Sequence, residues 1–162
     1  MDFKIRHIRR DERRLLEDFF YEAIFVPEDF EGEVPRSVIY DDPKCRAAFE
    51  EFGALPDDHA VVAAVDSEVI GACWVRTTDE YGHLDDVTPS FSISLLAPFR
   101  GQGIGGALMR WMLEELAAAG YARASLSVQK ANPALRLYER LGFRIIGDGA
   151  DDTEWLMVRN LQ

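Results

Sequence analysis

The sequence predicts a single α+β domain, a twisted mixed β-sheet flanked by helices, with elements in the order β-α-α-β-β-β-α-β-α-β-β. Three observations predict it. The chain has 162 residues, 48% of them apolar, which suits one domain with a core that needs no metal or disulfide staple. Period-2 and period-3.6 hydrophobic patterns alternate along it. A strand-helix-strand-helix-strand run in the C-terminal half implies parallel pairing, and hairpins elsewhere imply antiparallel pairing, so the sheet is mixed.

Phe3 to Arg9 alternates apolar and polar residues, as a half-buried strand does. Arg10 to Phe25 carries Leu15, Leu16, Phe19, Phe20 and Ala23 at helical spacing and is stopped by Pro27. Residues 28–42 are acidic, contain Gly32 and Pro35, and read as a loop. Asp42-Pro43 is an N-cap followed by proline at the first helical position, opening a helix to about Phe52. His59–Val65 and Val69–Thr77 are β-branched runs joined by Asp66-Ser67-Glu68, a hairpin. Thr78–Val87 is a polar loop and Ser90–Ala97 a third strand. Gly103–Ala119 has a wide apolar face and ends at Gly120. Arg123–Val128 is a strand, and Asn132-Pro133 starts a helix to Leu141. Phe143–Ile146 and Glu154–Val158 close the order as two strands.

Composition narrows function. Eighteen Lys and Arg against 29 Asp and Glu give a net charge of −11, which argues against a nucleic-acid partner, because phosphate binding draws on basic residues. No window approaches the roughly 18 apolar residues of a membrane span, and no apolar signal segment follows Met1, so a cytoplasmic protein without a membrane partner is expected. His7, His59 and His83 are scattered without metal spacing, so no metal is expected. Cys73 reads as core, whereas Cys45 is a candidate exposed thiol.

The segment Arg100-Gly101-Gln102-Gly103-Ile104-Gly105-Gly106 joins a strand to a helix. Glycines there permit positive φ and close approach of a ligand, and a helix N-terminus offers free N–H groups to an anion. A P-loop is excluded, since Ala107 and Leu108 follow where Lys and Ser/Thr are required. Gly101, Gly103 and Gly106 fit the dinucleotide pattern, but the next strand ends Ser127-Val128-Gln129-Lys130, with no carboxylate for a ribose.

This loop resembles the GNAT superfamily of acyl-CoA-dependent N-acetyltransferases, whose Arg/Gln-x-x-Gly-x-Gly/Ala signature is matched by Arg100, Gly103 and Gly105. A second block of that family, Ser125 to Val128, Asn132-Pro133 and Leu137 to Phe143, follows at the usual separation. The resemblance implies a GNAT-like single domain over residues 1–162 and acetyl-CoA as cosubstrate, whose acetyl group passes directly to a primary amine of a small molecule or peptide. It implies cofactor contacts from Arg100, Gly101, Gln102, Gly103, Ile104, Gly105 and Gly106, and from Leu95, Leu96 and Ala97 on the preceding strand. The family's proline three residues before the Arg is replaced by Ala97, with Pro98 next. Asn132 is implied as a cofactor contact and Tyr138 as the general acid for the departing thiolate. A phenol with a pKa of about 10 suits that task.

For the base that frees the amine, Asp86 is the choice, beside Asp85, with Glu22, Glu28 and His83 as further candidates. Residues 1–95 carry 10 basic and 22 acidic side chains, and residues 96–162 carry 8 and 7, so the acceptor half suits a cationic amine. A non-catalytic acyl-CoA-binding module and a dinucleotide oxidoreductase stay open as alternatives. Relatives are often dimers, so a homodimer is open too, although no patch in the sequence marks an interface.

Overall fold

The structure, a computed structural model, describes residues 2–162. Seven strands form one sheet: β1 Lys4–His7, β2 His59–Val65, β3 Glu68–Arg76, β4 Ser90–Leu95, β5 Arg123–Gln129, β6 Arg144–Asp148 and β7 Glu154–Asn160. Their order is β1-β2-β3-β4-β5-β7-β6. Every neighbouring pair is antiparallel except β4 and β5. The helices are α1 Leu15–Glu22, α2 Val38–Asp41, α3 Pro43–Phe49, α4 Ile104–Ala118 and α5 Leu135–Arg140.

The mixed sheet and the strand order along the chain agree with the sequence reading; the helix boundaries differ. The expected helix from Arg10 is a short 3-10 turn, Arg10–Glu12, before α1. Glu12 sets that turn by accepting from the Arg9 N–H at 2.8 Å and from the Arg6 guanidinium, which holds its carboxyl down at about 2. The segment expected as loop to Asp42 contains α2, one turn whose Ile39 is fully buried. Burial of that one side chain outweighs the weak propensity of so short a helix. Asp42 caps α3 as expected, accepting from the Lys44 N–H at 2.9 Å. The left-handed φ of 53° at Glu51 leaves no room for the helix to reach Phe52.

The core has two layers because β2 and β3 are buried on both faces. Val61, Ala63, Cys73 and Val75 meet Leu108, Met109, Met112 and Leu116 of α4. The alternate residues Val62, Ala72 and Trp74 meet Leu16, Phe19, Ile39 and Phe49 on the other face. Trp74 satisfies its indole N–H on the Ala48 carbonyl at 2.8 Å. Cys73 is core as expected. Cys45 is buried rather than exposed, and burial pushes its thiol up to about 12. Among the described residues no helix is long and apolar enough to cross a membrane.

A buried ion pair ties α3 to the sheet. Arg76 at the end of β3 donates through Nε to Asp58 at 2.9 Å and through Nη1 to the Ala47 carbonyl at 3.1 Å. Both side chains are almost fully buried. Replacing Arg76 with Met orphans the Asp58 carboxylate, and urea denaturation is expected to read a loss of about 3–5 kcal/mol.

Candidate active site

The site begins where β4 and β5 part. β4 pairs with β3 over six residues and β5 with β7 over seven, yet β4 and β5 meet only at Ser90 and Ser125. The β3–β4 loop is wedged at the closed end of the gap. Ser125 Oγ donates to the Gly82 carbonyl at 2.7 Å, inside the protein. A Cβ on Gly82 would stand 2.3 Å from Ser90 Oγ and 3.0 Å from the Ser127 nitrogen, so only glycine fits there. Beyond Ser90 the facing edges are unpaired. The Leu96 N–H reaches the Ile70 carbonyl of β3 at 2.9 Å. By strand alternation, Ile93 and Leu95 therefore turn their N–H and C=O groups into the gap.

A groove of about 830 Å³ runs along this open edge, lined by Ile93, Leu95, Arg100, Gly105, Asn132, Leu137 and Tyr138 among others. Leu95, Arg100, Gly105, Asn132 and Tyr138 were named from the sequence. Ile93 was missed, although its place two residues before Leu95 is the signal for it. Leu96 has its N–H committed to β3, and Ala97 opens a 3-10 turn, Ala97–Phe99, whose first carbonyl accepts from the Arg100 N–H at 3.2 Å.

Gly101, Gln102, Gly103, Ile104 and Gly106 form the turn and helix start at the groove's end. Gly101 and Gly103 have φ of 73° and 85°, the left-handed region that favours glycine. Gln102 staples the turn by donating to the Pro98 carbonyl at 3.1 Å. The first intrahelical bond of α4 runs from the Ala107 N–H to the Gly103 carbonyl, and no side chain caps the helix. The N–H groups of Ile104, Gly105 and Gly106 are thus left to an outside acceptor. Gly105 has no positive φ, and a Cβ there would make ordinary contact with Leu95 and Ile93 at 3.7 and 3.8 Å. The protein's own packing does not require glycine at 105. What a Cβ would do is occupy groove space, so the residues fit a diphosphate-bearing ligand.

Arg100 has another task. Its Nε donates to the Leu95 carbonyl at 2.9 Å, and its Nη2 to the Glu22 carbonyl at 3.3 Å with the Glu22 carboxylate at 3.7 Å. It ties the end of β4 to α1 and takes up the Leu95 carbonyl, which leaves the Leu95 N–H to the groove.

The groove meets a second cavity of about 310 Å³, and Ile24, Phe25, Ile93, Asn132 and Tyr138 line both. Asn132 Oδ1 accepts from the Ala134 N–H at 2.9 Å, capping the turn that leads into α5, which starts two residues later than the sequence suggested. Tyr138 packs edge-on against Phe143 at 6.4 Å, and no described residue hydrogen-bonds its hydroxyl. Burial, with the Cys73 thiol adding to it, pushes its phenol up to about 12.

Four carboxylates, Asp42, Glu80, Asp151 and Glu154, line the second cavity, and no Lys, Arg or His does. Glu80 is 6% exposed and accepts from the Gly82 N–H at 3.1 Å. Burial raises it to about 7, partly offset by the Ser90 hydroxyl and the Gly82 amide. Glu154 is 8% exposed; its Oε2 accepts from Gln129 Nε2 at 3.0 Å and its buried Oε1 has no partner. Burial raises it also. Although burial opposes it, the Tyr81 hydroxyl and the Lys44 amide hold Asp42 below the usual carboxylate range.

Asp86, the sequence-based choice of base, stands outside both cavities. Its side chain is 96% exposed and pairs with His83 at 3.4 Å. Asp85 is engaged with Arg123 at 2.6 Å, and Glu22 with Arg100. A solvated carboxylate in a surface loop has neither the burial nor the position to meet an amine in this cavity. Glu80 and Glu154 were missed because they lie 74 residues apart in the sequence (80 and 154) and no spacing rule connects them. Among the described residues no cluster of three His, Cys, Asp or Glu side chains could hold a metal ion.

Comparison with known proteins agrees with this geometry. A mycothiol acetyltransferase of Corynebacterium glutamicum is 32% identical over 79 residues, 48% of this chain and 25% of that protein, so the chain spans about a quarter of that relative's length. The paia N-acetyltransferase of Thermoplasma acidophilum, solved in complex with coenzyme A, superposes with a TM-score of 0.68 at 16% identity, covering 99% of both chains. The yncA structure from Salmonella typhimurium, with its cofactor acetyl-CoA, gives 0.68 at 16% identity, covering 100% of this chain and 95% of that one. The model of the acetyltransferase (GNAT) family matches residues 16–143, which include the parted strands, the glycine loop and Tyr138, and the chain belongs to that family.

Proposed function

We propose that this protein is a cytoplasmic N-acetyltransferase, one domain over residues 1–162, that moves the acetyl group of acetyl-CoA directly to a primary amine of a cationic small molecule or peptide. One observation carries the reading: the groove ending at the uncapped start of α4 and the carboxylate-lined cavity join at Asn132 and Tyr138.

The chain's own residues divide the work. The N–H groups of Ile104, Gly105 and Gly106 hold the diphosphate, reinforced by the positive end of the fifteen-residue α4. Ile93 and Leu95 offer backbone groups to the pantetheine arm as a neighbouring strand would. Acetyl-CoA supplies a thioester carbonyl open to attack by an amine. Tyr138 is protonated throughout the neutral range, and its hydroxyl is free to give that proton to the departing sulfur. Asp42 and Asp151, held below the usual carboxylate range, and Glu80 as it ionises attract an ammonium group and disfavour acceptors that bear an anion near the amine.

Thiol release from acetyl-CoA is expected with aliphatic diamines, amino sugars or basic peptides, and much less with amino acids of net negative charge. Thiol detection across that panel is the test, and no release with any of them leaves an acyl-CoA-binding module. Gly105→Ala is expected to stabilise the free protein by up to about 1 kcal/mol, because glycine in a helix costs that much relative to alanine. The same variant is expected to weaken acetyl-CoA binding at least about tenfold by filling the groove, and calorimetric titration reads the loss. Tyr138→Phe is expected to lower kcat about a hundredfold with acetyl-CoA affinity unchanged, the signature of a group used after binding.

A further inference from the structure

An amine with a pKa of about 10 arrives as an ammonium ion and has no lone pair until a proton leaves it. The two cavities present one group placed to take that proton. Glu80 sits on the β3–β4 loop, and the same wedge that parts β4 from β5 delivers it into the acceptor cavity. Gly82 is the pivot: its carbonyl is fixed by Ser125 Oγ at 2.7 Å, and its N–H holds Glu80 Oε1 at 3.1 Å. Glu80 is thus fixed by the very contact that opens the site.

The other carboxylates of the cavity are committed elsewhere. Asp42 is bound to the Tyr81 hydroxyl and the Lys44 amide. Asp151 accepts from the Thr153 N–H at 2.8 Å on an exposed turn. Glu154 has one oxygen on Gln129 and the other buried without a donor, an arrangement that favours its neutral acid form. Resting on the acetyltransferase reading above, we propose that Glu80 is the catalytic base that takes the proton from the acceptor's ammonium group, directly or through one water, inside the cavity that Tyr138 also lines.

The step balances. An N–H bond of the ammonium breaks, its proton forms an O–H bond on Glu80, and its electron pair becomes the nitrogen lone pair. That pair forms the C–N bond to the acetyl carbon while the carbonyl π pair moves to oxygen. When the pair returns, the C–S bond breaks and sulfur takes the Tyr138 proton, which the nitrogen's second departing proton replaces. Glu80 passes its proton to water. One ammonium ion and one thioester give one amide, one thiol and one proton. The cavity's volume of about 310 Å³ holds an alkylammonium and a few waters, each of about 30 Å³.

The titration of Glu80 supports the assignment. Burial holds it at about 7, close to a working pH, where a base is both ionised and strong enough to act. The charged and titratable groups that face it are Lys44 and Cys45 from α3, Asp42 at the α3 cap, Tyr81 beside it on the loop, Glu154 from β7, Asp151 from the β6–β7 turn and Tyr138 from α5. Lys44 pulls its pKa down and Glu154 pushes it up.

The test is the pH profile of kcat with saturating acetyl-CoA and 1,4-diaminobutane, or another amine the panel selects. The parent is expected to gain activity tenfold per pH unit up to a plateau that begins near pH 7. Glu80→Gln is expected to lose about a hundredfold or more at pH 7 and to show no plateau there, its residual rate still rising at pH 9 as free amine accumulates. Glu80→Asp is expected to restore the plateau and part of the rate. Acetyl-CoA binding to Glu80→Gln, read by thermal shift, is expected to match the parent, which separates loss of the base from loss of the fold. As a readout independent of turnover, the infrared carbonyl band that titrates near pH 7 is expected to vanish in Glu80→Gln and to move to lower pH when the diamine is added. An active parent whose Glu80→Gln variant keeps its kcat within threefold and keeps the plateau overturns the base alone. A parent that releases no thiol with any amine overturns the acetyltransferase reading and the base with it.

Discussion

The separation of β4 from β5 is the constraint on which the rest of the structure depends. A parallel pair that stayed in register would satisfy its backbone groups internally and leave nothing to bind. Here the pairing stops after Ser90 and Ser125, because the β3–β4 loop fills the closed end and Gly82 comes too near the Ser90 hydroxyl and the Ser127 nitrogen for any side chain. The sheet becomes two rigid halves, β1 to β4 and β5-β7-β6, each fully laddered. They are held beneath the gap by α4, whose Leu108, Met109, Met112 and Leu116 are entirely buried. Free backbone edges on rigid strands can position a ligand without first having to be ordered themselves.

The two ends of the gap have opposite electrostatic character, and each has its own physical origin. The α4 end owes its positive field to three free amides, a helix dipole and the Arg110 guanidinium, whose Nη1 lies 3.4 Å from where a Cβ on Gly106 would stand, while Arg100 is already shared with Glu22 and the Leu95 carbonyl. The other end owes its negative field to carboxylates drawn from three separate stretches of chain, two of the carboxylates being more than nine-tenths buried. Burying Glu80 and Glu154 without a cationic partner opposes folding, and their raised pKa values express that cost. A fold keeps such an arrangement where a cationic guest or a transferable proton completes it.

Much of this was legible in the sequence, and the parts that were not share a cause. The strands, the glycine loop and the Asn132-Pro133 start each follow from local patterns of two to seven residues, and the structure has them close to where those patterns put them. The α2 turn was not legible, because Val38 to Asp41 has no helical signal apart from the burial of Ile39, which is a tertiary fact. The same holds for the base. Asp86 stands out in the sequence as half of an acidic pair near the strand, but its loop turns it to solvent. Glu80, six residues earlier in that loop, looks like any other polar loop residue until the wedge carries it inward. Glu154 begins a strand whose pairing with β5 only the fold sets.

Arg100 illustrates how the same residue can fit a family motif and still serve the fold first. At the end of β4 the Leu95 carbonyl faces the gap, and without a strand partner it needs a donor. Arg100 supplies one five residues on, and its other nitrogen reaches the C-terminal end of α1, where the Glu22 carbonyl is also short of a donor. One planar guanidinium thereby satisfies an acceptor on each side of the groove mouth and fixes the width between them. The task needs the fork of an arginine, because the single ammonium of a lysine reaches both acceptors only by giving up the planar geometry that sets their spacing. The anion-binding end of the site is therefore framed by a side chain but built from backbone amides.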